Sequence, residues 1–214
     1  MITVNEMKAN VLENALLAYE EGLFAGTSGN LSLLDEAGKI LAITPSSYSY
    51  KKMKIDDIVV IDAATGQTIE GRHKPSSEWR MHVAILKSRP ELRGVVHTHS
   101  PYATSFAVLC KPIPLILIEM LGYIGGDIPL SDFELPGTEA LGVTIAHTLA
   151  RRNACLMRNH GAVAVGTTLD QAHLRAVYVE DAARIYSLAL SLGEAQLIPG
   201  DAILAMKKKF GLPD

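Results

Sequence analysis

The sequence predicts a single α/β domain whose central, mainly antiparallel sheet is covered by helices on both faces. Three observations carry this. The 214 residues are 48% hydrophobic and 20% charged, which suits one compact core and not disorder or a coiled coil. Short β-branched runs arrive as hairpins ahead of the helices instead of alternating strictly with them, which favours antiparallel pairing. No repeat, linker or low-complexity stretch divides the chain, so residues 1–214 are expected to form one domain.

The elements follow in order. Met7 to Glu21 carries Val11, Leu12, Ala15, Leu16 and Tyr19 at helical spacing and runs into Gly22, a C-terminal cap. Leu31 to Leu34 and Lys39 to Ile43 read as a hairpin around Asp35-Glu36-Ala37-Gly38, and Ile58 to Asp62 as a strand that turns at Ala63 to Gly66 into a short strand at Thr68 to Glu70. Ser76 and Ser77 are N-cap candidates for a helix that presents Trp79, Val83 and Leu86 and stops before Pro90. Leu92 to His99 is a strand, Tyr102 to Leu109 a short helix, Ile113 to Ile118 a further strand and Thr138 to Arg152 a helix. Cys155 to Arg158 and Ala162 to Val165 flank the turn Asn159-His160-Gly161, and Leu169 to Leu192 is a long helix. The count is about four helices and seven or eight strands.

Charge and composition exclude several classes. With a net charge of -3, a pI near 6.2 and scattered basic residues, nothing marks a nucleic-acid or membrane surface; Lys207-Lys208-Lys209 reads as a solvated helix end. The longest apolar run, Ile113 to Met120, is interrupted by Pro114 and Glu119 and is too short to span a bilayer. The start Met1-Ile2-Thr3-Val4-Asn5-Glu6 has no basic stretch leading into an apolar one, so a cytoplasmic protein is expected. Cys110 and Cys155 lie in apolar surroundings and read as buried, reduced thiols.

The chemistry centres on His97-Thr98-His99 at the end of a strand. Side chains repeat every two residues along a strand, so both imidazoles leave one face about 6.5 to 7 Å apart at Cα, close enough to share an ion. A lone His-x-His pair is equally compatible with two polar residues at a solvated strand end. His160 occupies a turn where Gly161 permits a backbone conformation that aims a third nitrogen inward, whereas His73, His82, His147 and His173 have no partner at chelating spacing. Three neutral imidazoles with an open fourth position describe a catalytic divalent site, zinc before other metals. Three turns rich in hydroxyls and free N–H groups, Thr27 to Asn30, Thr44 to Ser47 and Pro75 to Ser77, are candidates for an anion such as phosphate.

These residues form an ordered set. Gly26-Thr27-Ser28-Gly29-Asn30-Leu31-Ser32, Pro75-Ser76-Ser77-Glu78-Trp79-Arg80, His97-Thr98-His99 and Asn159-His160-Gly161 resemble the class II aldolase family typified by L-fuculose-1-phosphate aldolase, over nearly the whole chain. The resemblance implies a central mixed sheet covered by helices and a homotetramer with active sites between subunits. It implies one zinc or similar divalent ion per subunit, held by His97, His99 and His160 with Glu78 as a further ligand of the empty enzyme and as proton carrier. It assigns Gly29, Asn30, Ser46, Ser47, Ser76 and Ser77 to the substrate phosphate. The implied reaction is reversible cleavage of a ketose 1-phosphate to dihydroxyacetone phosphate and a short aldehyde, a lyase step of carbohydrate metabolism in which the metal stabilises the enediolate.

Three departures bear on the substrate. The family's aldolases carry tyrosines where this chain reads Leu117-Ile118-Glu119-Met120 and Lys209-Phe210-Gly211; Phe210 has no hydroxyl, and Tyr123 is the nearby phenol. Ser47 replaces the usual glycine of the phosphate loop, so a positive φ there carries a cost. Within the superfamily the alternatives are a sugar-phosphate 4-epimerase, whose members resemble this pattern with aspartate in place of Glu78, and a dehydratase or decarboxylase using the same enolate chemistry. An adducin-like scaffold, which has lost its ligands, is the non-catalytic alternative.

Overall fold

The computed structural model describes residues 2–210. Among them seven strands form one sheet: β1 (Asn30–Leu34), β2 (Ile40–Ile43), β3 (Val59–Asp62), β4 (Thr68–Glu70), β5 (Gly94–Thr98), β6 (Ala154–Met157) and β7 (Gly161–Gly166). The spatial order is β4-β3-β2-β1-β5-β7-β6. Every neighbouring pair is antiparallel, so the sheet is not mixed; the sole parallel contact among the described residues is an isolated bridge between Leu130 and Leu156.

Seven α-helices accompany it, more than the sequence count: α1 (Val4–Glu20), α2 (Trp79–Ser88), α3 (Pro101–Val108), α4 (Ile118–Tyr123), α5 (Glu139–Thr148), α6 (Leu169–Leu192) and α7 (Gly200–Phe210). α1 begins earlier than its apolar periodicity indicates because Thr3 and Glu6 form a reciprocal capping box. α2 begins later: Glu78, not Ser76 or Ser77, occupies its N-cap, and the Ser76 hydroxyl accepts the Glu78 N–H at 3.3 Å. The expected strand at Ile113 to Ile118 does not form. Pro112 and Pro114 remove ladder donors, leaving one bridge between Ile113 and Ile128, and Ile118 opens α4. α5 ends at Thr148 and not at Arg152, whose guanidinium is drawn to Asp127 at 2.6 Å.

The alternation of side chains across the sheet separates two cores. Leu31, Leu33, Ala42, Val60, Val96, Ala162 and Ala164 face α1, α3 and α6, while Leu41, Ile43, Val59, Ile61, Val95, Val163 and Val165 face α2 and α5. Cys155 is buried in the second core, and burial pushes its thiol up to about 12; Cys110 is exposed at the end of α3, contrary to expectation. Lys207, Lys208 and Lys209 stand in the last turn of α7, where cations favour the helix dipole.

A buried carboxylate fixes the approach to α2. Asp57 accepts from Arg72 Nη2 at 2.5 Å, His73 Nε2 at 2.9 Å and the Lys54 N–H at 2.8 Å, tying residues 72–73 down just before Ser76. Burial raises this carboxyl, but the hydrogen bonds from Arg72, His73 and Lys54 outweigh it and hold it at about 2. A depressed carboxyl contributes stability that is complete above its unfolded value, about 4, and is lost as pH falls through the folded value. Asp57→Asn is therefore expected to lower the unfolding free energy at neutral pH by about 2 kcal/mol. In urea denaturation the gap between wild type and variant should narrow as pH is lowered from about 5 to about 3; a gap independent of pH would remove the carboxylate from this role.

Candidate active site

The alternation that divides the cores also assembles the site. On β5, His97 shares the face of Val95 and so looks toward α2; on β1, Asn30 and Ser32 lie on the same face because Leu31 and Leu33 fill the opposite core. Asn30 and His97 are direct partners in the β1–β5 register. Glu78, at the start of α2, descends onto them. His160 comes from the turn between β6 and β7. There the residue with positive φ is Asn159 (54°), and Gly161 contributes closeness instead: a Cβ on it would overlap the Thr98 carbonyl.

The three histidines converge, with one ligand atom from each lying within 4.8 Å of the others. His97 Nε2 is 3.0 Å from His99 Nε2 and 3.2 Å from Glu78 Oε2, and His160 Nε2 is 3.4 Å from Glu78 Oε1. A tetrahedral ion with ligands at about 2.0 to 2.1 Å separates neighbouring donors by about 3.4 Å, so these spacings fit a cation. Two further features agree. His97 Nδ1–H donates to the Ala162 carbonyl at 3.0 Å, which leaves the Nε2 lone pair directed into the cluster. Glu78 Oε1 is buried with no hydrogen-bond partner among the described residues, as expected for an oxygen facing a missing positive charge.

The electrostatics are those of a site that holds one positive charge. Burial pushes His97 down, but the Glu78 carboxylate more than reverses this and raises it. Burial also raises Glu78, yet the charge and hydrogen bond of His97, with His160 and Asn30 adding, bring it well below the usual carboxylate range. His99 and His160 are both pushed down to about 4, by burial first and then by the charge on His97. Their nitrogens are therefore neutral donors.

Beneath the carboxylate lies a polar chain that the sequence did not disclose. Asn30 Nδ2–H donates to Glu78 Oε2 at 2.9 Å, which turns Asn30 Oδ1 toward His82 Nε2 at 2.5 Å; His82 Nδ1 meets the Ser32 hydroxyl at 2.7 Å. Because the carboxylate only accepts, every direction follows: Ser32 donates to His82, His82 to Asn30 and Asn30 to Glu78. Full burial pushes His82 down to about 3, with the His97 charge acting the same way, so it is neutral. The one available sequence signal was its position four residues after Glu78, one helical turn along the same face.

The hydroxyl-rich turns gather at the same end of the sheet. A bridge between Pro45 and Pro75 sets Ser46 and Ser47 beside Ser76 and Ser77. It occupies the Ser46 N–H, bonded to the Lys74 carbonyl, and the Ser76 N–H, bonded to the Thr44 carbonyl, both at 3.0 Å. Ser46, Ser47 and Ser77 are exposed, and Ser47 takes the left-handed conformation at φ 53°. Gly29, at φ 80°, packs where a Cβ would run into the Phe24 ring, and its carbonyl accepts from the Tyr50 hydroxyl at 2.7 Å. Tyr123 is stacked on Tyr178 with ring centroids 4.1 Å apart. The Phe210 side chain and Gly211 lie outside the described residues.

Comparison with known proteins agrees with this geometry. The family profile "Class II Aldolase and Adducin N-terminal domain" matches residues 9–187. The 5-methylthioribulose-1-phosphate/5-deoxyribulose-1-phosphate aldolase of Rhodospirillum rubrum is 40% identical over 191 residues, 88% of this chain and 84% of that protein. An L-ribulose-5-phosphate 4-epimerase of Salmonella paratyphi B is 35% identical over 218 residues, 97% of this chain and 94% of that one. A solved L-fuculose 1-phosphate aldolase superposes with a TM-score of 0.90 at 34% identity, over 99% of both chains.

The close approach at Gly161 gives a direct test. Gly161→Ala would push the β6–β7 turn off β5 at the Thr98 carbonyl, costing about 1 to 3 kcal/mol as an overpacked contact, and would carry His160 away from His97. Bound divalent metal, measured by elemental analysis after dialysis, is expected to drop well below that of wild type. Unchanged metal content and thermal stability would show that the approach is not what aims His160.

Proposed function

The chain belongs to the class II aldolase and adducin family, and we propose that it cleaves a 5-deoxypentulose 1-phosphate or a related ketose 1-phosphate to dihydroxyacetone phosphate and a short aldehyde. It is a metal-dependent aldehyde-lyase that acts on a sugar phosphate. The observation that carries the reading is the convergence of three imidazole nitrogens beside a buried carboxylate with one oxygen held by Asn30 and the other without a hydrogen bond among the described residues.

We assign the metal to His97, His99 and His160, with Glu78 as a fourth ligand of the substrate-free enzyme; the three-nitrogen, one-oxygen donor set supports zinc. Once bound, the ion supplies Lewis acidity that polarises the ketose carbonyl and stabilises the negative charge left when the C3–C4 bond breaks. The proton belongs to Glu78. Asn30 holds Oε2, so the unpartnered Oε1 is the atom that removes the C3 proton of dihydroxyacetone phosphate in condensation and returns it after cleavage. Asn30 has a second amide hydrogen, which leaves it able to bond the phosphate while holding the carboxylate. Gly29, Ser46, Ser47, Ser76 and Ser77 form the remainder of the phosphate cradle. His82 and Ser32 position the pair without touching substrate.

A homotetramer with sites between subunits is part of this reading. It is supported by the apolar rim beside the cluster: Asn159 is bonded to the Ala107 carbonyl in α3, and the end of that helix exposes Val108 and Leu109. A cytoplasmic location is supported by two free cysteines, one exposed, and no helix among the described residues is long and apolar enough to cross a membrane. The identity to an epimerase keeps 4-epimerisation as the second reading. A panel of 5-deoxyribulose 1-phosphate, L-fuculose 1-phosphate and L-ribulose 5-phosphate separates them: release of dihydroxyacetone phosphate from a 1-phosphate is expected, whereas inversion at C4 without cleavage would select the epimerase.

Two substitution tests divide the roles. Glu78→Gln is expected to retain the metal and lose about 10²- to 10⁴-fold in kcat, whereas His97→Ala should lose the metal itself; a fully active Glu78→Gln enzyme would end the proton-carrier assignment. His82→Phe removes the donor to Asn30 and is expected to lower kcat about tenfold or more, the factor that corresponds to about 1.4 kcal/mol, with metal content retained and KM changed far less. His82→Gln, which can still donate to Asn30, should recover part of the loss. Equal kcat in wild type and His82→Phe would reduce the polar chain to a structural element.

A further inference from the structure

The β6–β7 hairpin has two ends, and chemistry has been assigned only to the end that carries His160. At the other end, about 17 Å away along the length of β7, lies a cavity of about 680 Å³ walled by the end of α4, the segments that follow α2 and α5, Arg175 of α6 and Lys207 of α7. Its charged lining is Arg89, Arg151, Arg152, Arg175 and Lys207 against the single carboxylate of Glu91. Two of the cations are neutralised: Arg89 Nε bonds Glu91 at 2.8 Å, and Arg152 bonds Asp127.

The other three have no carboxylate partner among the described residues. Arg175 is the informative one. Its Nη1 donates to the Val165 carbonyl at 2.6 Å, but its Nε is buried with no hydrogen-bond partner. Burial, and then repulsion from Arg89, push it down to about 10, the direction taken by a guanidinium that lacks a counter-charge. A buried polar N–H without an acceptor costs free energy that an acceptor restores. Arg151 is exposed, Lys207 half-buried, and both border the same cavity.

We propose that this cavity is a second anion site, distinct from the catalytic centre, that takes a phosphate group, with the Arg175 guanidinium on its inner wall and Arg151 and Lys207 as the outer cations. The volume suits a small phosphorylated metabolite as well as the free ion, and guanidinium groups suit the geometry of a phosphate.

The test is equilibrium dialysis of radiolabelled inorganic phosphate against the intact, metal-loaded protein at constant ionic strength, comparing wild type with the double variant Arg151→Glu/Lys207→Glu. A control, Lys39→Glu/Lys87→Glu, makes the same change in net charge at exposed positions away from the cavity. The double variant is expected to bind one phosphate fewer per chain than wild type, and the control to match wild type. Equal phosphate uptake by wild type and the cavity variant would overturn the proposal, as would an equal loss in the control. Arg175→Met, which removes the buried donor while keeping the stem, should reproduce the loss. The readout is a difference of one equivalent, so it stands whether or not the catalytic centre binds phosphate, and failure of the aldolase reading would leave it interpretable.

Discussion

Three imidazole nitrogens and a carboxylate cannot be packed together with contacts of 3.0 to 3.4 Å among them unless positive charge lies between them. This requirement organises the catalytic end of the protein. A proton on His97 meets it only in part: Glu78 Oε1 has no hydrogen bond among the described residues, and burial together with the charge on His97 depresses His99 and His160. A divalent ion meets it completely, because it can face all four donors at once. Each side chain is held from outside the cluster: His97 by the Ala162 carbonyl, Glu78 by Asn30, His160 by the packing of Gly161 against β5.

The sheet makes the arrangement available. Strict antiparallel pairing sets Asn30 opposite His97, and the two-residue period gives Asn30, Ser32 and His97 the face on which α2 lies. α2 then delivers two side chains one turn apart, Glu78 to the histidine cluster and His82 to the polar chain below. Glu78 and the supporting imidazole of His82 thus share one helix. The position of that helix is fixed by apolar packing through Met81, Ile85 and Leu86 and by the Asp57 anchor upstream.

Much of this was legible in the sequence, for identifiable reasons. Period-two alternation exposed the His97/His99 pair, and a glycine in a turn marked His160, although Asn159 supplies the positive φ and Gly161 the close approach. Glu78 was legible through the resemblance of its motif and not through any spacing rule. His82 and Ser32 were not legible, because their meaning depends on the lateral placement of α2 over β1, a nonlocal contact that no local pattern encodes. The run Ile113 to Ile118 misled because its apolar character outweighed its prolines, and the helix cap at Ser76–Ser77 was displaced to Glu78 because the Pro45–Pro75 bridge claims the Ser76 amide. The cavity around Arg175 could not be foreseen, since its cations come from four places far apart in the chain, the segments after α2 and α5 and the helices α6 and α7.

X-ray absorption spectroscopy at the metal edge of the purified, metal-loaded protein tests the central geometry most directly, because it reads the ligands without reference to turnover. The expected spectrum shows one ion per chain with imidazole scattering from three nitrogens at about 2.0 to 2.1 Å and one oxygen at similar distance. A first shell of oxygens alone, with no imidazole signature, would contradict it.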